Sequence, residues 1–385
     1  MKFKRVFLLV LDSLGVGESI DCEMYNDKGC NTLGHIKDNS NLFIPNISEL
    51  GLLNTLYMNN SSSEGYYTIA RPKNPGKDSI SGHYEMMGLK SSIGKFYNQA
   101  FPRELLEEIA STIQVPLIGN ILTDPSSIID RLGDRQIEGK SLIIYTTGDS
   151  NLEIASEENV FPYDRLLDMA EKIRNITKQD KYYVKTVTLR TFRKENDHFV
   201  FTIDTRRFVE DTPTRGCLDI LKENNLQTIS IGKVAEIFNG NGITKVIKSN
   251  SNNEGINKLL DIMEKDFTGL CFCNLSDFDT YYGHARDVEG YKKCLEELDV
   301  EIPLILNKLN LDDLLIITAD HGNDPTMNDH CHTRENVPVL VYSRSFINSG
   351  QLDILDSFAD IGATIIDNYG LEKTWMGKSF LDKLK

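Results

Sequence analysis

The sequence predicts an α/β fold built on a mostly parallel sheet flanked by helices, with an α+β unit inserted in its middle. Three observations carry that reading. Short apolar runs recur, amphipathic patterns separate them, and the hydrophobic period changes near the centre. The runs are RVFLLVL (5–11), SLIIYTT (141–147), QTISIG (227–232), GLCFCNL (269–275), LLIITA (314–319) and VPVLVY (337–342). Their hydrophobicity is continuous rather than alternating, as expected of strands covered on both faces in a parallel sheet.

Each element has its own justification. The first run, VFLLVL, ends at Asp12, which is too short for a signal core or a membrane span, so it reads as a buried strand. PRELLEEIASTI (102–113) opens with proline at a first helical position and aligns Leu105, Leu106, Ile109 and Ile113 on one stripe. GYKKCLEELDVEIPLILNKL (290–309) is a second helix, with a kink or break expected at Pro303. From 185 to 210 apolar and polar residues alternate, the period of half-exposed antiparallel strands. That change divides the chain into a core of 1–93 and 215–385 and an inserted unit of 94–214.

Composition narrows the function classes. A chain of 385 residues, 40% hydrophobic and 26% charged, is a globular protein of one large domain or two. The net charge of −15 argues against nucleic-acid binding, because phosphate contacts demand a basic surface. No run suits a membrane partner. An acidic excess also accommodates bound cations. Seven cysteines scattered along the chain do not form a disulfide framework, so a reduced, cytoplasmic protein is expected.

Three apolar runs end in carboxylates: Asp12, then Asp277 and Asp279, then Asp320 beside His321. In open parallel sheets ligands bind beyond the carboxyl ends of the strands, so these groups can meet. The chain has seven histidines, and His284, His321, His330 and His332 lie close in sequence to these acids. Carboxylate with imidazole is a donor set for zinc, manganese or iron. Three Asp and three His would make two three-ligand groups, the arrangement of a two-metal catalytic site. The stretch DSISGHYE (78–85) adds two hydroxyls, and Ser79 and Ser81 each read equally as a helix cap or a nucleophile.

These motifs resemble the phosphopentomutase family of the alkaline phosphatase superfamily. The matching stretches are VLDSLGVGE, NTLGHI, GKDSISGHYEMMGL, YTTGDS, IGKVAEIFNGNGIT, NLSDFDTYYGHARD and ITADHGNDPT with HTRENVPVLVY, spanning residues 6 to 342. The resemblance implies an alkaline-phosphatase-like core and a cap domain for substrate recognition. It implies that Asp12, Asp320 and His321 surround one ion, that Asp279, His284 and His332 hold the other, and that manganese is the usual metal. Asp277 and His330 then become neighbours that either orient ligands or are simply solvated. It assigns the transferred phosphoryl group to Ser79, where the family carries threonine, and leaves capping to Ser81. It places Thr147, Asp149, Arg190, Arg206 and Lys233 on the sugar phosphate.

The implied reaction interconverts ribose 1-phosphate and ribose 5-phosphate, or their deoxy counterparts, with two Mn2+ and a sugar bisphosphate as primer. The partner is thus a small pentose phosphate. Departures concentrate in the inserted unit and at one metal edge. Phe208 stands where the family carries an acidic residue past Arg206, ASEEN lacks a histidine, and DHCHTRE carries an extra histidine and a cysteine. They leave open a paralogue acting as mutase or phosphatase on another phosphorylated metabolite.

Overall fold

The structure, a computed structural model, describes residues 1–385 apart from 93, 96, 98, 148, 149, 197, 210–213, 329, 330 and 373–375, and apart from the side chains of 203 and 204. The expectations for Asp149 and His330 lie outside the described residues. In chain order the strands are β1 (Arg5–Leu11), β2 (Tyr66–Ala70), β3 (Leu117–Leu122), β4 (Leu142–Thr146), β5 (Asn151–Glu157), β6 (Thr186–Glu195), β7 (His198–Val209), β8 (Gln227–Ile231), β9 (Lys245–Ile247), β10 (Gly269–Leu275), β11 (Asp313–Thr318), β12 (Val337–Tyr342) and β13 (Gly350–Gln351). The chain divides into two compact units, one of Met1–Ser92 with Thr212–Lys385, the other Ile93–Asp211.

The first unit holds a sheet of order β13-β2-β12-β11-β1-β10-β8-β9. Every pairing is parallel except those of β12 with β11 and with β2, so β12 alone runs against the other described strands. This corrects the expectation that VPVLVY adds a parallel strand: burial on both faces makes its apolar run continuous whichever way it points. β1 lies at the centre and all seven of its residues are buried. At its head Arg5 is buried too. Its guanidinium donates to Asp313 Oδ1 at 2.8 Å and to the carbonyls of Met263 and Lys265 at 2.7 Å each. A planar fork with this many acceptors is how a buried arginine is tolerated.

The helix Val288–Lys308 passes through Pro303 without ending. Proline has no N–H for the Asp299 carbonyl. Asn46 supplies one instead, its Nδ2 donating to Asp299 O at 3.1 Å and to Asp299 Oδ2 at 2.8 Å. In the second unit, Pro102 is the N-cap of the helix Arg103–Ile113, one position outside the expected first turn. No helix among the described residues is long and apolar enough to cross a membrane. All seven cysteines are buried.

The second unit has a sheet of order β3-β4-β5-β6-β7, which contains the run 141–147. Its β6 and β7 form the antiparallel pair that the alternating segment predicts. One face carries Leu142, Ile144, Leu152, Ile154, Val187 and Leu189 against the helices Arg103–Ile113 and Tyr163–Thr177. On the other, Ile143 and Ala155 pack against Ile128, Ile129 and Leu132 of the helix Pro125–Gly139.

Candidate metal centre and nucleophile

Register brings the acids together. β1 pairs in parallel with β10 and β11, with Leu11 opposite Leu275 and Val10 opposite Thr318. The three strands therefore end at one edge, where Asp12, the turn carrying Asp279, and Asp320 with His321 follow. The turn Phe278–Gly283 has a π-helical course and is followed by His284. His332 joins from the segment before β12, held by the bridge of Gly322 with Thr333, whose N–H···O distances are 3.2 and 2.8 Å.

Donor atoms of Asp12, Asp320 and His321 lie within 4.8 Å of one another, as do those of Asp279, His321 and His332. Asp279 Oδ2 is 3.4 Å from His284 Nε2, Asp279 Oδ1 is 3.4 Å from His332 Nε2, and the two imidazole nitrogens are 3.1 Å apart. His321 Nδ1 is 3.0 Å from Gly322 O, which orients Nε2 toward the acids. All six expected ligands thus converge.

Electrostatics favours a cation here. Asp12 is wholly buried; its Oδ2 pairs with the Lys233 ammonium, and among the described residues its Oδ1 accepts no hydrogen bond. Burial, and then the charge of Asp320, push its carboxyl above the ordinary value, while the ammonium of Lys233 pulls it back. Burial also acts to raise Asp320 and Asp279. For Asp320 the imidazoles of His321 and His83 outweigh it, and for Asp279 those of His284 and His332 do, holding both carboxyls well below the usual range. Three buried carboxylates interleaved with imidazoles suit divalent metal.

The stretch DSISGHYE supplies the candidate nucleophile, Ser79, and its supports. Asp78 caps the helix Ser79–Met86, its Oδ1 accepting from Ser81 N at 3.0 Å. This corrects the expectation that a serine is the cap: the Ser81 hydroxyl lies 2.8 Å from Asp78 Oδ2 and 3.0 Å from Pro75 O, its one proton turned to these acceptors. Ser79 Oγ instead faces the acids, 3.2 Å from His321 Nε2 and 2.8 Å from Lys233 Nζ. Lys233 also pairs with Asp12. Gly82 permits this approach, since a Cβ there would stand 2.0 Å from the Asp320 carbonyl oxygen. Glu85, buried, accepts from the N–H groups of Lys73, Asn74 and Phe358 and fixes the loop before the helix.

Sequence reasoning gave His83 no role. Its Nδ1 lies 2.8 Å from Ser79 O and 3.2 Å from Asp320 Oδ2, and its Nε2 lies 3.2 Å from Asn274 Nδ2. The available signal was its spacing of four from Ser79, which puts both on one helix face. Asp277 does not reach the ligands through any described hydrogen bond. Its Oδ2 accepts from Asn252 N at 2.7 Å, anchoring a helix start.

In the second unit, Glu153 Oε2 accepts from Arg190 Nε at 2.9 Å, and Asn151 Nδ2 donates to Glu153 Oε1 at 2.6 Å and to Thr147 Oγ1 at 3.3 Å. Register separates the two expected arginines. Arg206 stands opposite Leu189 and Arg190 opposite Thr205, so they lie on different faces of the sheet, while Arg207, opposite Thr188, shares the face of Arg190. Arg206 is exposed, with its guanidinium 5.9 Å from the Phe208 ring, and Phe208 packs on the helix-covered cluster.

Fold and site together define an α/β enzyme with a centre built for divalent metal. Residues 4–373 match the Metalloenzyme superfamily, and the chain belongs to that superfamily. Among solved structures, the PH0037 protein from Pyrococcus horikoshii is 13% identical, with TM-score 0.48, covering 98% of this chain and 100% of that one. Leishmania mexicana phosphoglycerate mutase, at low cobalt concentration, is 13% identical with TM-score 0.48, covering 98% and 97%. Alkaline phosphatase from the Antarctic bacterium TAB5 is 13% identical with TM-score 0.35, covering 97% and 99%.

Proposed function

We propose that this chain is a phosphomutase of the phosphopentomutase type, moving phosphate between the 1 and 5 positions of ribose or deoxyribose through a phosphoserine at Ser79. The observation that carries the phosphoryl-transfer reading is Ser79 Oγ, set 2.8 Å from Lys233 Nζ and 3.2 Å from His321 Nε2 beside the converged acids. The pentose assignment is supported by the length and order of the motifs that resemble that family.

Asp12, Asp320 and His321 would hold one divalent ion, and Asp279, His284 and His332 another, manganese being the proposed metal. When bound, such ions supply positive charge that polarises phosphoryl oxygens and lowers the pKa of a hydroxyl. The protein's own groups do the rest. Phosphoserine gives its phosphoryl group to the free hydroxyl of the sugar phosphate: the bond from phosphorus to Ser79 Oγ breaks and one to the sugar oxygen forms. Lys233 holds the departing Oγ by charge and hydrogen bond. The bisphosphate then returns its other phosphate to Ser79 Oγ by the reverse step, and a sugar bisphosphate primes an enzyme that has lost its phosphate. Ser79 opens a helix, so free N–H groups and the helix dipole also favour the added charge.

The inserted unit would act as a cap that excludes water, with Thr147, Arg190 and Arg207 on the face that meets the sugar phosphate. Asp149 is assigned to the same role from its motif. Release of phosphate to water would instead make the enzyme a phosphatase. Incubating ribose 1-phosphate with enzyme, Mn2+ and a bisphosphate primer, while following ribose 5-phosphate and free phosphate in parallel, tests both. Isomerisation without phosphate release supports the mutase, and release without isomerisation sinks it.

A further inference from the structure

Arg286 gathers three segments that each carry a proposed metal ligand. Its Nη1 donates to Gly283 O at 2.8 Å, to Asp324 O at 3.2 Å and to Asn323 Oδ1, and its Nη2 donates to Cys331 O at 2.8 Å. Gly283 adjoins His284, Asn323 follows His321 by two residues, and Cys331 precedes His332. Asn323 Nδ2 in turn donates to Asp279 Oδ1 at 2.8 Å. The chemistry fixes the direction of this chain. Arginine can only donate, so the amide must offer it oxygen, and its NH2 group is then turned toward Asp279. Asn323 is fully buried and fits closely. A Cβ on Gly283 would stand 2.7 Å from Asn323 Nδ2, so the glycine leaves the room that the amide occupies.

We propose that Arg286, acting through Asn323, is the positioning residue that sets the metal affinity of the Asp279–His284–His332 site. The proposal rests on the two-metal reading above. Its physical content is that one oxygen of Asp279 is held by the amide, so the carboxylate meets the ion already oriented. Groups that orient ligands in this way are worth about 10–100-fold in metal affinity. The Asn323 amide, which carries the effect, donates to Asp279 and, among the described residues, to none of Asp12, Asp320 and His321, so the effect falls on one site.

The test is titration of chelator-treated full-length protein with Mn2+ alone, by calorimetry and by the electron paramagnetic resonance of free Mn2+. Wild type, Arg286→Lys and Asn323→Leu are compared, with melting of the metal-free proteins measured alongside. Two ions are expected to bind the wild type. In either variant one of the two affinities falls by about 10–100-fold and the other stays. Equal wild-type affinities at both sites in both variants overturn the proposal, and so does equal weakening of both sites, which would report general damage. If Arg286→Lys does not fold, Asn323→Leu alone decides. Wild-type protein that binds fewer than two ions would instead overturn the two-metal reading, and the proposal with it, before any variant is considered.

Discussion

Lys233 Nζ stands 2.8 Å from Ser79 Oγ and also pairs with the buried Asp12 carboxylate, so one ammonium links the proposed nucleophile to a proposed metal ligand. A charge in that place acts on the oxygen as it gains or loses phosphate. Lys233→Met is therefore expected to lower kcat by about 10²–10³-fold, the scale of losing one donor to a developing oxyanion. Steady-state kinetics at saturating Mn2+ checks this. An unchanged kcat with a raised KM would move Lys233 to binding of the sugar phosphate instead.

Metal should stabilise the fold by mass action, since the unfolded chain has no assembled site. At a free Mn2+ concentration of 100 times Kd the gain is about 2.7 kcal/mol per site. Asp12→Asn and His332→Ala should each lose about one bound ion and the matching part of the rise in Tm. Elemental analysis after gel filtration, with melting curves with and without Mn2+, is the measurement.

Glu335 is fully buried, and burial pushes its carboxyl up to about 7 despite donors from Thr32 and Thr333. The unfolded value is about 4.3. Between those values the folded chain binds the proton more tightly, so stability from this group is present at low pH and is lost as pH rises to about 7. The loss is on the order of 3 kcal/mol. Denaturant unfolding of metal-free protein at pH 5 and pH 7.5 should show it, and Glu335→Gln should remove that part of the pH dependence. Identical slopes for the two proteins would reject the assignment.

Asn46 serves the carbonyl that Pro303 leaves unpaired, so the two positions should couple. Asn46→Ala is expected to cost about 1–3 kcal/mol, because a buried acceptor loses its donor. In a Pro303→Ala background the restored N–H takes over and the cost should shrink. A double-mutant cycle in urea measures the difference.

Register assigns Arg207 rather than Arg206 to the face of Arg190. Arg190→Ala and Arg207→Ala should then raise the KM for ribose 1-phosphate by about tenfold or more, the scale of a lost charge-assisted hydrogen bond. Arg206→Ala should leave it nearly unchanged. The reverse order would show that the cap reads its substrate from the other face.

What was legible in the sequence follows from what local pattern can encode. Asp12, Asp320 and the pair Asp277 and Asp279 were readable because each follows a buried apolar run, and aligned parallel strands carry such residues to one edge; the choice of Asp279 over Asp277 came from the family resemblance. The direction of β12 was not, because a strand covered on both faces reads alike either way. Passage of the helix through Pro303 depends on Asn46, far away in sequence. The Asp78 cap was hidden among three residues that could all cap. The link from Arg286 through Asn323 to Asp279 leaves no periodic trace, since it joins a turn and a loop by side chains. Lys233 was visible as a motif residue, but its place on Ser79 was set by the crossover from β8.

The most direct test is the intact mass of the protein after incubation with a sugar bisphosphate, followed by mapping of the modified peptide. One added phosphoryl group is expected, on Ser79, which is lost in Ser79→Ala and discharged when ribose 1-phosphate is added with Mn2+. No added mass on the wild type, or the same added mass on Ser79→Ala, would contradict it.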